Sequence, residues 1–518
     1  MTTVVATTNG RVRGAVVDGV YVFKGIPYGD STAGDARFAP PRLAPAWTGI
    51  RDATEFGPAS PQFPTALRPG DAPILAALFD APLQHPQSEE MLTVNVWSGG
   101  LDGVANRPVI VHLHAGAFQF GWSSWPMYDG GRLARDGDAV VVSLTYRLGV
   151  LGFLYLAELG GPEFAHSGNV GLLDVLAALG WVRDNIAAFG GDPGNVTVVG
   201  DSAGAGVVTG LMAMPEARGM FHKAFTISVG GSSGVQPEQA TTVAEAIIKE
   251  LGFSRGDNLA PLREIRVGRL VRAQLAASAR MGEFTFGGSF RFGPVIDGLH
   301  LTDSPLQIAV RGEAMDVPLL LGSAKDEFTL LAADMAADLD EQQVRRIAQT
   351  MMGDYGETVL DTFWSRRPGA TPGEVMLAIW SDSTRISTLR IADGHVRHGS
   401  NPVYCYLFCW ESPVEGGKYG STHILDSPFW FNNVDTAPIT GDAPERYPLA
   451  RRMSKALLAF ARTGDPNHDG LPDWPAYRVG DRPTMIIDRT CEVRLDPYGA
   501  EREVMTQVSA HELSHRGL

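Results

Sequence analysis

Short apolar segments rich in β-branched residues recur along the chain, and helical segments separate several of them. Six segments are predicted to be buried strands: Pro108–Gly116, Ala139–Arg147, Asn195–Gly200, Lys223–Val229, Val317–Ser323 and Pro402–Trp410. Between two of them, Gly171–Gly191 has the apolar spacing of a helix and ends in glycines. This alternation predicts an α/β protein with a mostly parallel central sheet and helices on both faces.

Other regions depart from that alternation. The first, Val4–Lys24, alternates around Asn-Gly and Asp-Gly turns, which predicts small antiparallel strands. Residues 237–287 and 328–399 are mostly helical in pattern, and we expect them to be insertions over one end of the sheet. The proline-rich residues 57–90 are predicted to form a rim loop. Because no repeat or linker divides the chain, residues 1–518 are expected to form one domain.

Charge and composition narrow the possible partners. The net charge of −15 disfavours nucleic acid as a partner. No apolar run reaches the roughly 18 residues that a membrane span needs, so no membrane partner is expected. The first residues lack the apolar core of a signal peptide, and the chain has only three cysteines. These features predict a reduced, cytoplasmic protein. A monomer or homodimer is the expected assembly.

A tight corner follows the strand at Asn195–Gly200. The run Gly-Asp-Ser-Ala-Gly fits G-x-S-x-G, and a segment of small residues with helical character comes next. A strand, this motif and a helix together indicate a nucleophilic serine raised above the sheet edge. Side chains at Gly200 and Gly204 would collide with the neighbouring backbone, and the strained turn presents Ser202. The same turn places the N–H of Ala203 at the start of the helix, where negative charge is favoured.

A second G-x-S-x-G run lies at Gly230–Gly234, with Ser232 at its centre. It also follows a predicted strand. However, Pro237 comes shortly after it, and no helix of small residues follows directly. We therefore interpret this run as a glycine-rich loop.

A nucleophilic serine requires an imidazole base, a carboxylate that orients it and N–H donors for the oxyanion. In hydrolases with this corner the chain order is serine, acid, histidine. Asp326 and Glu327 both follow the strand at Val317–Ser323, and the pattern leaves the choice between them open. His423 is favoured as the base because it follows the Pro402–Trp410 strand. The donors should come from the loop after Pro108–Gly116.

Other histidines are weaker candidates. His395 and His398 precede a strand and are expected on a helix. The run His511–His515 fits the H-E-x-x-H pattern of a zinc-protease helix, but only three residues follow it and no third ligand is evident. No metal site and no cofactor are expected.

Many ordered motifs of the chain resemble the type-B carboxylesterase family, which includes cholinesterases and bacterial p-nitrobenzyl-type esterases. The motifs that carry this resemblance are Phe23–Gly29, Arg37–Pro41, Thr54–Gln62, Glu89–Trp97, Tyr146–Leu154, Asn169–Ala205, Gly293–Gly298, Ala324–Phe328, His423–Phe431 and Phe460–Tyr477. The resemblance implies an α/β-hydrolase fold. It also implies that Ser202 is the nucleophile, Glu327 the acid and His423 the base. The oxyanion donors that it implies are the N–H groups of Gly116, Ala117 and Ala203.

Two departures from the family pattern lie near these positions. Ala115 stands where the family usually has glycine, and a positive φ there would cost roughly 1 kcal/mol relative to glycine. Phe328 replaces the glycine that usually follows the acid, which makes that loop bulkier.

The function implied is that of a serine carboxylesterase that hydrolyses small to medium apolar esters through an acyl-enzyme. The alternative is a carbamate or amide hydrolase with the same triad. A non-catalytic binding protein is disfavoured because all three triad positions are filled. The substrate pocket is predicted to include five aromatic residues: Phe118, Trp122, Trp125, Phe284 and Phe286.

Overall fold

The computed structural model describes residues 2–62, 85–102, 106–230, 232–281 and 292–508. Within these ranges a single sheet contains thirteen strands. They are β1 (Thr2–Thr7), β2 (Gly10–Val17), β3 (Val20–Pro27), β4 (Ile50–Asp52), β5 (Thr93–Ser98), β6 (Arg107–Leu113), β7 (Val140–Leu144), β8 (Gly191–Asp201), β9 (Lys223–Ile227), β10 (Leu319–Ala324), β11 (Val403–Phe408), β12 (Pro483–Ile487) and β13 (Glu492–Leu495).

The strand order is β1-β2-β3-β5-β7-β6-β8-β9-β10-β11-β12-β13, and β4 pairs with β2. The seven strands from β7 to β12 in this order are parallel to one another. The strands β1, β2, β3 and β5 are antiparallel at one end of the sheet, and β13 is antiparallel at the other. The predictions of a mostly parallel sheet and of antiparallel N-terminal strands are therefore confirmed.

Helices connect the parallel strands, as a parallel sheet requires. The α-helices among the described residues are α1 (Gly131–Gly137), α2 (Gly149–Gly152), α3 (Ala157–Gly160), α4 (Val170–Asn185), α5 (Ala203–Ala213), α6 (Pro237–Glu250), α7 (Val267–Met281), α8 (Pro305–Val310), α9 (Thr329–Ala337), α10 (Glu341–Met352), α11 (Gly356–Ser365), α12 (Pro372–His398), α13 (Ser427–Trp430), α14 (Arg446–Thr463) and α15 (Gly499–Gln507). None of them is long and apolar enough to cross a membrane.

Alternate residues of the central strands face two separate apolar cores. On β6, Val109 and Val111 belong to a core that also contains the buried residues of α4 and α5. Ile110, between them, belongs to a second core that contains the buried face of α14. Because successive side chains of a strand point to opposite faces, this division places helices on both sides of the sheet.

The two stretches predicted to be insertions contain helices where the structure describes them. Residues 237–281 include α6 and α7, and residues 329–398 comprise mainly α9 to α12. Thr371 begins the longest helix with a capping box: its hydroxyl accepts the N–H of Glu374, whose carboxylate accepts the N–H of Thr371. Residues 63–84 of the predicted rim loop lie outside the described residues, as do Phe284, Phe286 and His511–His515.

The parallel strands end together at one edge of the sheet. Leu113 of β6 pairs with Gly200 of β8, and Ala324 of β10 pairs with Phe408 of β11. The loops that follow these strands therefore meet at this edge. They carry the predicted donors, the serine, the acid and the histidine, which is where ligands bind in open α/β sheets.

Candidate active site

Ser202 occupies the corner between β8 and α5. Its backbone has φ 53° and ψ −117°, a conformation that strongly favours glycine. The corner is held because the N–H of Ser202 donates to Ile227 O at 2.9 Å, while its carbonyl accepts the N–H of Gly206 and of Gly230. The helix also lies close to β6, since a Cβ on Gly204 would stand 2.1 Å from Leu113 O. The serine is thus strained, firmly fixed and raised at the sheet edge.

His423 joins the serine to the predicted acid. Its Nε2 lies 2.8 Å from Ser202 Oγ. Its Nδ1 is hydrogen-bonded to Glu327 Oε2. The other carboxylate oxygen of Glu327 accepts the N–H of Ala324 at 2.8 Å, which fixes the side chain at the end of β10. The structure therefore brings together the three residues that the family resemblance selects.

The carboxylate of Glu327 controls the charge of His423. Burial alone lowers the pKa of His423, but the charge and hydrogen bond of Glu327 outweigh burial, and the pKa lies above its ordinary value. The imidazole can therefore accept the serine proton as the hydroxyl attacks. An imidazolium formed in this way is stabilised by Glu327.

Asp201, next to the serine, is enclosed in a polar cluster beneath the site. Its Oδ2 accepts hydrogen bonds from Tyr128 Oη at 2.5 Å and Ser427 Oγ at 2.8 Å. His112 Nε2 lies 3.6 Å from its Oδ1. Burial opposes ionisation of Asp201, but interactions with His112, Tyr128 and Ser427 outweigh it, and its pKa is lowered. This carboxylate connects the serine corner with the helical turn that follows His423.

A second buried carboxyl, Asp426, lies near the site and was not predicted from the sequence. It lies three residues after His423 and accepts a hydrogen bond from Tyr406 Oη at 2.7 Å. Burial, together with the nearby charge of Glu327, raises the pKa of Asp426 to about 7, although the Tyr406 hydrogen bond opposes the shift. The signal available in the sequence was one acidic residue within the otherwise apolar segment after His423.

Residues 114–121, here named the β6 loop, contain two of the predicted oxyanion donors. Gly116 has φ 133° and Ala117 has φ 51°, and Phe118 is also left-handed at 61°. Among the described residues, the N–H groups of Gly116 and Ala117 have no protein acceptor. Ala115 does not have a positive φ, so the strain considered for this position is absent, and it is Ala117 and Phe118 that are strained.

Three of the predicted pocket residues are placed by the structure. Phe118 packs against Phe153, with ring centroids 5.3 Å apart. Trp122 stacks on His85 at 5.8 Å and meets Trp125 edge-on at 5.1 Å. Trp125 also lines a cavity of about 320 Å³, but Ser202, Glu327 and His423 are not among the residues that line that cavity. All three side chains are buried and belong to the two apolar cores of the fold.

The competing candidates occupy different positions. Asp326 points to the loop before His423, where its Oδ2 accepts the N–H of Ser421 at 3.0 Å. His395 and His398 lie at the end of α12, as predicted, and His395 Nε2 contacts Val317 O. Ser232 is buried, and its carbonyl accepts the N–H of Leu306. In the described part of the chain, no group of three or more His, Cys, Asp or Glu side chains is arranged to hold a metal.

The sheet, its helices and the serine at the β8 corner define an α/β hydrolase. The chain matches the carboxylesterase family over residues 1–505. It is 35% identical over 505 residues to phenmedipham hydrolase of Pseudarthrobacter oxydans, covering 95% of this chain and 96% of that relative. It is 34% identical over 507 residues to para-nitrobenzyl esterase of Bacillus subtilis, covering 96% and 98%.

A solved structure gives the same result. The carboxylesterase EST55 of Geobacillus stearothermophilus at pH 6.2 superimposes with a TM-score of 0.85 at 38% identity, covering 97% of this chain and 99% of that one. This chain belongs to the carboxylesterase family. It is a serine carboxylesterase, and the fold class predicted from the sequence is confirmed.

Proposed function

We propose that Ser202, His423 and Glu327 are the catalytic triad of this carboxylesterase and that it acts through an acyl-enzyme. The observation that carries the proposal is the pair of contacts made by one imidazole, with Nε2 2.8 Å from Ser202 Oγ and Nδ1 on Glu327. A serine hydroxyl is a weak nucleophile until a base removes its proton, and this geometry supplies that base.

In the first half of the reaction, Ser202 Oγ bonds to the ester carbonyl carbon and its proton passes to His423 Nε2. The carbonyl oxygen becomes an oxyanion, and the imidazolium is stabilised by Glu327. Collapse of this intermediate breaks the bond to the alkoxy oxygen, which takes the proton from His423 Nε2. The alcohol leaves, and the acyl group stays on Ser202.

In the second half, water takes the place of the alcohol. His423 Nε2 removes a proton as the water oxygen bonds to the acyl carbon. The bond to Ser202 Oγ then breaks, the proton returns to that oxygen and the carboxylic acid is released. Apart from the ester and the water, each proposed step uses side chains and N–H groups of this chain.

The oxyanion is proposed to bind the N–H groups of Gly116, Ala117 and Ala203. The first two are left without a protein acceptor among the described residues, and the third is at the start of α5, where the helix favours negative charge. Each such donor contributes about 3 kcal/mol to the barrier reduction in serine hydrolases.

The proposed substrates are small to medium apolar esters. Their pocket would be lined by aromatic residues: Phe118, Trp122, Trp125, Phe284 and Phe286. We further propose that residues 1–518 act as one α/β-hydrolase domain, in which the two helical insertions and the rim loop border this pocket. Cytoplasmic location is proposed because Cys405, Cys409 and Cys491 are unpaired thiols. A monomer or homodimer is the proposed assembly.

An active-site label tests the triad directly. An organophosphate should stop ester hydrolysis, and peptide mass spectrometry should locate the adduct on Ser202. The labelling rate should follow ionisation of His423 and rise as that imidazole loses its proton. An adduct on another serine, or full inhibition without any adduct, would overturn the proposal.

The relative named phenmedipham hydrolase favours a second candidate, hydrolysis of a carbamate by the same residues. Carbamoylation would place a carbamoyl group on Ser202 in place of the acyl group. Comparing kcat/KM for an aryl carbamate and for the ester with the same aryl alcohol separates the two candidates. A carbamate value equal to or above the ester value would make the second candidate the main one.

A further inference from the structure

The buried side-chain amide of Gln62 forms hydrogen bonds with the C-terminal end of the β6 loop. Gln62 Oε1 accepts the N–H of Gly121 at 2.9 Å, and Gln62 Nε2 donates to the carbonyl of Gly121 at 3.0 Å. The same nitrogen donates to Ser60 O at 3.0 Å. The amide thus binds both polar groups of Gly121, much as a neighbouring strand would, and its side chain is buried.

Gln62 is itself held in place. Its backbone N–H donates to Gln87 Oε1 at 2.9 Å. Just before it, Ala59 donates its N–H to Pro86 O at 2.8 Å. Ser60 Oγ accepts the N–H of Leu148 at 3.2 Å. The amide is therefore anchored to a fixed backbone and can fix the position of Gly121.

The β6 loop needs this support because its backbone is strained. Ala117 and Phe118 both have left-handed φ values, and such residues persist only where their surroundings determine them. Inside the loop, Gly116 O accepts the N–H groups of Gln119 and Phe120 at 2.9 and 3.0 Å. The turn is therefore a compact unit, fixed at one end by β6 and at the other by Gly121.

We propose that Gln62 is a positioning residue, which orients the N–H groups of Gly116 and Ala117 toward the oxyanion through its hold on Gly121. This inference rests on the proposed role of those donors. Gln62 does not touch the substrate. The oxyanion forms only when Ser202 Oγ attacks the ester carbonyl. A misplaced donor therefore destabilises the transition state more than it destabilises the bound ester.

A merely structural role would have different consequences. If Gln62 had only a structural role, replacing it would lower the stability of the fold and leave the kinetics of the folded enzyme unchanged. If Gln62 positions the donors, replacing it lowers kcat, leaves KM nearly constant and weakens the binding of analogues of the oxyanion intermediate. A trifluoromethyl ketone provides this measurement: Ser202 Oγ bonds to its carbonyl carbon, its oxygen becomes an oxyanion and the serine proton moves to His423.

The test substitution is Gln62→Met, which has similar length and makes no strong hydrogen bond. We expect kcat to fall about 10- to 100-fold, because small misplacements of catalytic groups have effects of this size. KM for a p-nitrophenyl ester should stay within about twofold of the wild-type value, since uniform binding is retained. The Ki of the trifluoromethyl ketone should rise by the same factor by which kcat/KM falls.

The matched control is Asn185→Leu. Asn185 is another buried amide that holds backbone on both sides: Oδ1 accepts the N–H of Thr8 at 2.7 Å, and Nδ2 donates to Trp181 O at 2.9 Å. It lies at the end of α4, outside the proposed catalytic machinery. We expect the Tm of Asn185→Leu to fall as much as that of Gln62→Met, while its kcat and its Ki for the ketone stay at the wild-type values.

A second variant keeps the test decisive if Gln62→Met does not fold. In Gln62→Glu the carboxylate faces the carbonyls of Gly121 and Ser60, and only its protonated form can donate to them. The ratio of its ketone Ki to that of the wild type should therefore shrink between pH 8 and pH 5. Ionisation of His423 changes the Ki of both proteins in the same way, so its contribution cancels in the ratio.

Wild-type kcat and Ki in Gln62→Met, or equal losses in Gln62→Met and Asn185→Leu, would overturn the inference. So would a pH-independent Ki ratio in Gln62→Glu. If the ketone fails to bind the wild-type enzyme, the proposed triad and donors fail instead. The two failures can therefore be told apart.

Discussion

Two G-x-S-x-G runs lie next to each other in this fold, and only one has the surroundings of a nucleophile. Ser202 follows β8, is directly followed by α5 and lies 2.8 Å from an imidazole nitrogen. Ser232 follows β9, is buried and precedes α6 by several residues. The N–H of Gly230, which begins the second run, donates to Ser202 O. The second run thus helps to hold the backbone of the first run in place.

The difference shows that the G-x-S-x-G letters alone do not define the corner. The packing around the glycines and the helix that follows directly define it. At the first run, glycine is required because a Cβ on Gly200 would meet Gly204 O at 2.3 Å, and the helix follows at once. At the second run, a Cβ on Gly230 would have its nearest atom at 3.4 Å. The same letters therefore describe a strained, close-packed corner in one place and an ordinary loop in the other.

Exchanging each serine for alanine should reveal the largest difference between the two runs. Ser202→Ala removes the only atom that bonds to the acyl group in the proposed mechanism, so kcat/KM for a p-nitrophenyl ester should fall by roughly 10⁴-fold or more. Ser232→Ala should stay within about twofold of wild type. If Ser202→Ala retains activity, or if Ser232→Ala loses as much, the roles of the two runs are wrongly assigned.

The two neighbouring carboxylates after β10, Asp326 and Glu327, should also differ in their effect on activity. Glu327→Gln should lower kcat by about 10²- to 10⁴-fold, because the imidazole loses the carboxylate that orients it and stabilises its charge. That carboxylate also raises the pKa of His423. Without it, the acid limb of the kcat/KM profile should move to lower pH.

Asp326→Asn is the control for this effect. The amide oxygen of asparagine can still accept the N–H of Ser421, so kcat should change by no more than a few-fold. The acid limb should stay where it is in the wild type. A shift of that limb to higher pH in Glu327→Gln would contradict the assigned electrostatics.

The smallest expected effects are those of the motif glycines on stability. Gly204→Ala places a Cβ 2.1 Å from Leu113 O, which is backbone and cannot turn aside. We expect a loss of about 3 kcal/mol in the free energy of unfolding, as for overpacked sites. Gly230→Ala should change it by less than about 1 kcal/mol. Urea unfolding of both variants measures this contrast, and equal losses would show that the two corners are packed alike.

Much of the fold could be predicted because its signals are local. The apolar segments that become β6 to β11 have enough β-branched residues to identify them, and the helix at 170–185 lies in a segment whose apolar spacing fits a helix and which ends in glycines. Their boundaries moved by a few residues: β8 begins at Gly191 rather than at residue 195. Strand order could not be predicted in the same way, because it depends on contacts between distant segments.

The site was partly predictable for the same reason. Ser202 was predicted as the nucleophile from its local context, but Asp326 and Glu327 are adjacent, and the family resemblance was needed to choose Glu327 as the proposed acid. His423 is 221 residues from Ser202, so their distance is a property of the whole fold. Gln62 and Asp426 were not identified, because burial and hydrogen bonding at these positions are set by segments far away in the sequence.

The backbone at Ser202 has a consequence for how such an enzyme can be improved. Its φ of 53° with ψ of −117° is a conformation that glycine adopts at little cost and serine only under constraint, at about 1 to 3 kcal/mol. A directed-evolution screen that rewarded heat tolerance alone would therefore favour Gly at position 202, which would stabilise the fold and remove the proposed nucleophile. Selection for turnover must accompany selection for robustness in every round.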